Sequence, residues 1–148
     1  MSATVDANIL LYASDSSSPL HAQANAFLTA RAAGPDLLYV FWPVVMAYLR
    51  IATHPAVFER PLDPQAAASN IEALLDLPHV RTGGETERFW DVWRATTRGL
   101  SVRGNLVPDA HLVALMRDYG VGVIWSRDRD LRKFDGIRVV DPFGDTQE

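Results

Sequence analysis

The sequence predicts an α/β domain, a mainly parallel β-sheet flanked by α-helices, and three observations predict it. Short apolar runs of strand length at Ala3–Val5, Leu37–Phe41 and Val121–Ser126 alternate with longer stretches whose apolar residues recur at helical spacing. One or two such helices separate successive strands, which is what crossovers between parallel neighbours require. Gly and Pro fall between these elements, so no linker opens a second domain, and residues 1–148 are expected to form one domain of ordinary globular composition, 48% hydrophobic and 22% charged.

The elements follow in order. Ala3–Val5 is a short buried strand ended by Asp6, which caps a helix over Asn8–Ala13. The polar stretch Asp15–Pro19 is a turn. Leu20–Ala33 is an alanine-rich helix stopped by Gly34-Pro35. After the strand Leu37–Phe41, Pro43 suits the first turn of a helix carrying Val44, Val45, Tyr48 and Ile51. Asp63-Pro64 opens a helix over Gln65–Leu77. Val80–Thr82 is a short strand, Glu85–Thr97 a helix with Phe89, Val92 and Trp93 on one face, and Gly99–Gly104 a break. Pro108–Tyr119 is a helix, Val121–Ser126 a buried strand, Arg127–Arg132 a charged loop and Ile137–Val140 a last strand.

Composition narrows the function. The net charge of −4 argues against a protein that grips nucleic acid through a broad cationic face, though not against acids gathered at a metal site. With no cysteine, disulfides and thiolate-bound zinc are excluded. The apolar run Ile9–Ala13 is too short to span a membrane, and no basic residue precedes it as in a secretory leader, so a cytoplasmic protein with no membrane partner is expected.

The acids carry the chemistry. In an open parallel sheet, functional groups collect beyond the carboxyl ends of the strands. Asp6 follows the first strand; Asp128 and Asp130 follow Val121–Ser126; Asp109 begins the helix just before that strand. All four can meet on one rim. Two carboxylates about 4 Å apart repel by roughly 4 kcal/mol at an effective dielectric near 20. Several together therefore need raised pKa values or a cation among them. Oxygen donors with no Cys or His nearby select Mg²⁺ or Mn²⁺. Taken singly, each acid also has a plain structural role: Asp6 as a helix cap, Asp109 as a first-turn acid, Asp128 and Asp130 as loop charges among Arg127, Arg129 and Arg132.

At these residues the chain resembles a known family. Val5-Asp6-Ala7-Asn8-Ile9-Leu10-Leu11-Tyr12-Ala13 resembles the opening of PIN-domain proteins, in particular VapC-type toxins. Asn105-Leu106-Val107-Pro108-Asp109-Ala110-His111-Leu112, then Ser126-Arg127-Asp128-Arg129-Asp130-Leu131, then Phe134–Pro142 resemble their distal blocks, and Phe41–Pro55 resembles a central helix of one VapC group. The resemblance covers roughly residues 4–142. It implies a Mg²⁺-dependent endoribonuclease, a homodimer, and a VapB-type antitoxin that covers the acidic site. It matches Asp6, Asp109 and Asp128 to the catalytic, metal-binding acids, Asp130 to a further acid, and Asn8 and Ser126 to polar positions that orient them. One position departs: VapC-type proteins carry a glutamate three residues before the arginine matched by Arg50, and this chain has Ala47 there.

Two other readings are weighed. Ala47 motivates a PIN scaffold that binds RNA or antitoxin without cutting. A phosphatase of the haloacid-dehalogenase type also begins with an aspartate after strand one, but its chemistry wants an acid two residues on, where Asn8 stands, and the lone lysine, Lys133, sits in a loop. The histidines His21, His54, His79 and His111 lack ligand spacing and are expected at the surface or in caps. Trp42, Trp90, Trp93 and Trp125 are expected in the core, and Arg94, Arg98 and Arg103 on a solvated face.

Overall fold

The structure is a computed structural model that describes residues 1–144. Strand β1 (Ser2–Val5) leads into α1 (Ala7–Ser14) and α2 (His21–Ala32), then β2 (Leu37–Phe41), α3 (Trp42–Ala52), α4 (Pro64–Leu75), β3 (Val80–Gly83), α5 (Phe89–Thr97), α6 (Leu106–Tyr119) and β4 (Val123–Trp125). A 3₁₀ turn over Arg129–Lys133 precedes β5 (Arg138–Val140). The five strands are all parallel in the order β3-β2-β1-β4-β5.

That order places β1 at the centre and reverses direction there. Right-handed crossovers then carry α1 to α4 on one face and α5 and α6 on the other. Aromatic contacts mark both layers: Phe27 of α2 meets Trp125 edge-on at 5.0 Å, and Tyr119 of α6 meets Phe41 at 5.3 Å. Ile9, Val40, Ile124, Val113 and Leu115 are fully buried between the layers. Each such side chain contributes roughly 1.5–3 kcal/mol by leaving water.

Local chemistry explains most boundaries. Asp6 and Asp63 cap α1 and α4, accepting hydrogen bonds from the backbone N–H of Asn8 (3.0 Å) and Gln65 (3.1 Å). Gly120, at φ 69°, closes α6 in the left-handed conformation that costs glycine least. At Gly83 close approach matters instead. A Cβ there would lie 2.6 Å from the Tyr119 ring, whose hydroxyl donates to the carbonyl of Gly84 at 2.9 Å.

Four expectations change. Helix α5 begins at Phe89 rather than Glu85, because Thr86 turns the chain by accepting from Arg88 N–H (3.2 Å) while Glu85 is drawn into a distant contact described below. The expected loop Arg127–Arg132 contains the 3₁₀ turn, capped by Asp128, which accepts from Asp130 N–H at 2.9 Å. Strand β4 is shorter than Val121–Ser126, since Val121 N–H bonds to Met116 in the α6 terminus. Trp42 and Trp90 are exposed, at 42% and 62%, so only Trp93 and Trp125 pack against the core. No helix among the described residues is long and apolar enough to cross a membrane.

Candidate metal centre

The sheet register builds the rim. Val5 and Trp125 are partners across β1 and β4, so Asp6 and Ser126 emerge side by side although far apart in sequence. The site thus lies where the strand order reverses, the position at which open α/β sheets gather ligands. Ser126 is buried, and its hydroxyl donates a short hydrogen bond to Asp6 Oδ2 while accepting from Asp128 N–H at 2.9 Å. One side chain therefore fixes the positions of two acids. Ser126→Ala should leave the buried side of Asp6 unpaired and cost about 1–3 kcal/mol of stability. Thermal melts of the wild type and variant check this, and an unchanged melting temperature would assign Ser126 no such part.

Asp109 lies in the first turn of α6, and Asp128 and Asp130 flank the start of the 3₁₀ turn. One carboxylate oxygen from each of these three lies within 4.8 Å of the others. Asp6 is outside that tight group but shares a cleft of about 200 Å³ with Asp109 and Asp128. The expected four-acid rim is therefore a trio with Asp6 beside it. Asn8 is exposed and meets Asp6 through its backbone N–H. Asp130 also pairs with Lys133 Nζ at 3.2 Å.

The electrostatics follow from crowding. Burial, then the charge of Asp128 and its hydrogen bond, with Asp130 and Asp6 behind, push the Asp109 carboxyl up to about 7. Burial also raises Asp6, against the hydrogen bonds from Ser126 and from the backbone of Ile9 and Asn8. Asp109 is thus protonated in part near neutrality, and a cation among the acids would favour its ionised form. All-oxygen donors under mutual repulsion fit a hard divalent ion, and these residues could hold one.

The cleft also contains a residue that sequence reasoning passed over. His111 lines it one turn after Pro108, and its Nε2 lies 2.5 Å from Glu85 Oε1. That hydrogen bond and the backbone of Glu85 itself, its larger cause, hold the Glu85 carboxyl below the usual range. No local spacing connects residues 85 and 111, so only the tertiary fold reveals the pair. The opposite wall is Pro43, Val44 and Ala47 of α3. Tyr48, the neighbour of Ala47, turns away from the cleft, with its hydroxyl 2.7 Å from Ser14 Oγ and 3.1 Å from Asn70 Nδ2.

A five-stranded parallel sheet of this order, with an acidic group at its switch point that could hold a cation, places the chain among α/β proteins whose site lies on the sheet rim. The PIN domain model matches residues 3–137. A relative, "Ribonuclease VapC48" of Mycobacterium tuberculosis, is 50% identical over 143 residues, 97% of this chain and 99% of that one. Among solved structures, M. tuberculosis VapC20, described as a sarcin-ricin loop cleaving toxin, aligns with TM-score 0.64 at 19% identity, over 92% of this chain and 98% of that one. VapBC2 of Rickettsia felis aligns with TM-score 0.66 at 10% identity, over 94% and 97%. The chain belongs to the PIN-domain family, in its VapC-type toxin group.

Proposed function

We propose that this chain is a Mg²⁺-dependent endoribonuclease acting in the cytoplasm as the toxin of a type II toxin–antitoxin pair. The observation that carries the reading is the trio Asp109, Asp128 and Asp130 beside Asp6 at the switch point of a PIN-family sheet. The 50% identity to a protein named a ribonuclease supports the reaction class.

Asp109, Asp128 and Asp130 would hold the ion, with Asp6 facing it across the cleft. A bound divalent ion supplies an acidified water and offsets the charge that develops on the phosphodiester oxygens. Asp109 would have to be ionised to act as a ligand, so ion binding would release protons near neutral pH. Asp6 stays fixed because the Ser126 hydroxyl donates to one of its oxygens and the Asn8 N–H to the other. Pro43, Val44, Ala47 and Leu112 form an apolar wall that limits water.

Two partners belong to this reading. A VapB-type antitoxin would insert a basic side chain, an arginine by preference, among the uncompensated acids. A second copy of the chain would cover exposed apolar surface such as Trp42 and Met46, one turn apart on α3. The rival reading, a scaffold that binds without cutting, is favoured by Ala47 in the wall of the cleft.

The test is cleavage of a structured RNA by purified toxin, with Mg²⁺, with chelator and with antitoxin titrated in. Cleavage that requires Mg²⁺ and is silenced at saturating antitoxin is expected. RNA binding without cleavage at any Mg²⁺ or Mn²⁺ concentration would favour the scaffold, and activity persisting at saturating antitoxin would sink the inhibition.

A further inference from the structure

A polyanionic substrate poses a problem for a chain of net charge −4 whose cleft is lined with carboxylates. Cations must stand close to the acids, and the basic side chains around Asp128 divide sharply. Arg127 is paired with Asp141 at 3.3 Å and lies 5.9 Å from the Phe143 ring centroid. Lys133 is paired with Asp130. Arg129 and Arg132 are both exposed, and neither has an ion-pair or hydrogen-bond partner among the described residues.

The 3₁₀ turn sets where they point. With three residues per turn, side chains at i and i+3 eclipse. The Asp130–Lys133 pair, 3.2 Å apart, shows that register on one side of the turn. Arg129 and Arg132 share the same spacing and both line a second cup of about 180 Å³, together with Ser126, Arg127, Asp128, Val139 and Asp141. This cup and the acidic cleft share Asp128 as a common wall. Asp141, the other acid of the cup, is engaged by Arg127 and by Phe143 N–H at 2.9 Å. Two guanidinium groups are therefore left to set the charge of a polar cup directly beside the candidate metal centre.

We propose that this cup is a phosphate-binding subsite, in which Arg129 and Arg132 grip the RNA backbone at a phosphodiester neighbouring the one held over the acids. The assignment rests on the ribonuclease reading above. Guanidinium groups pair with phosphate oxygens in two-point fashion, and contacts to phosphate fix register without reading sequence. The strand then runs from the acidic cleft, over Asp128, into the cup. Arg129 and Arg132 are binding residues; the acids keep the chemistry.

The experiment compares the wild type, Arg129→Gln/Arg132→Gln and, as a distant control, Arg60→Gln. Affinity for a fluorescent single-stranded RNA is measured by anisotropy across a salt series with Ca²⁺ replacing Mg²⁺, and Mn²⁺ affinity is measured by calorimetry. The double variant should bind RNA at least tenfold more weakly. Its slope of log affinity against log salt should fall by about 1.4, at about 0.7 per phosphate contact on a single strand. KM for cleavage should rise by a similar factor, with Mn²⁺ affinity and the control unchanged. Wild-type RNA affinity and salt slope in the double variant would overturn the subsite while leaving the ribonuclease reading intact. A wild type that neither binds nor cleaves RNA would overturn both. Unchanged RNA affinity with weakened antitoxin binding would assign the cup to the partner protein and overturn the RNA subsite.

Discussion

Asp109→Asn should lower RNA cleavage by at least a hundredfold and, in metal-free buffer at pH 8, raise the melting temperature. An amide of nearly the same shape is a poorer ligand for a hard cation. Even residues that only support a ligand cost 10–100-fold when replaced, so a ligand itself should cost more. The stability arm has the opposite sign, for a separate reason. Asp109 is pushed from its ordinary 3.8 up to about 7, first by burial and then by Asp128. Its folded-state pKa lies above its unfolded one, so the folded chain holds the proton more tightly. Its contribution to stability is complete below about pH 4 and is lost as pH rises through 7. Asparagine removes that loss. Its advantage should be largest above pH 7 and shrink toward pH 4, and for a domain of this size about 2–4 °C accompanies each kcal/mol recovered. Added Mg²⁺ should erase the difference by stabilising the wild type alone. A variant melting below the wild type at pH 8 without metal would make Asp109 a structural acid, and cleavage at the wild-type rate would remove it from the centre.

The parts of this fold visible in sequence are those governed by neighbours along the chain. Asp6, Asp63 and Gly120 announce helix ends because caps and left-handed closures act over one turn. The run Leu37–Phe41 is a strand because apolar β-formers crowd it between Pro35 and Pro43. What failed depends on distant residues. Glu85 left the predicted helix for His111, on the far side of α5 in sequence. Trp42 and Trp90 are exposed against expectation because helical periodicity tells which residues share a face but not whether another element covers it. The gathering of the acids was foreseeable from the rule that sites lie at strand ends. Their division into a tight trio and a neighbouring Asp6 was not, since it depends on the packing of α6 against the 3₁₀ turn, a contact between segments distant in the chain.

Ala47→Glu should bind Mg²⁺ or Mn²⁺ about tenfold more tightly than the wild type while folding normally. Position 47 lines the cleft shared by Asp6, Asp109 and Asp128, and that cleft holds about 200 Å³. The side chain best placed to have filled the gap left by a missing glutamate is Tyr48. It is instead buried on the other side of α3, tied to Ser14 and Asn70. A glutamate at 47 therefore enters open space rather than packed side chains, which avoids the roughly 1–3 kcal/mol that overpacking costs. It adds one hard oxygen donor and one negative charge to the centre. The same charge adds to the repulsion from Asp128, Asp130 and Asp6 that, behind burial, pushes Asp109 up to about 7. The metal-free variant should thus melt below the wild type above pH 7, and saturating Mg²⁺ should reverse the order. Calorimetric titration and melts with and without metal read both effects in one set of samples. Unchanged metal affinity, with a melting temperature lowered equally in the presence and absence of Mg²⁺, would mean that the carboxylate does not reach the ion. The pocket would then be complete with the acids it has.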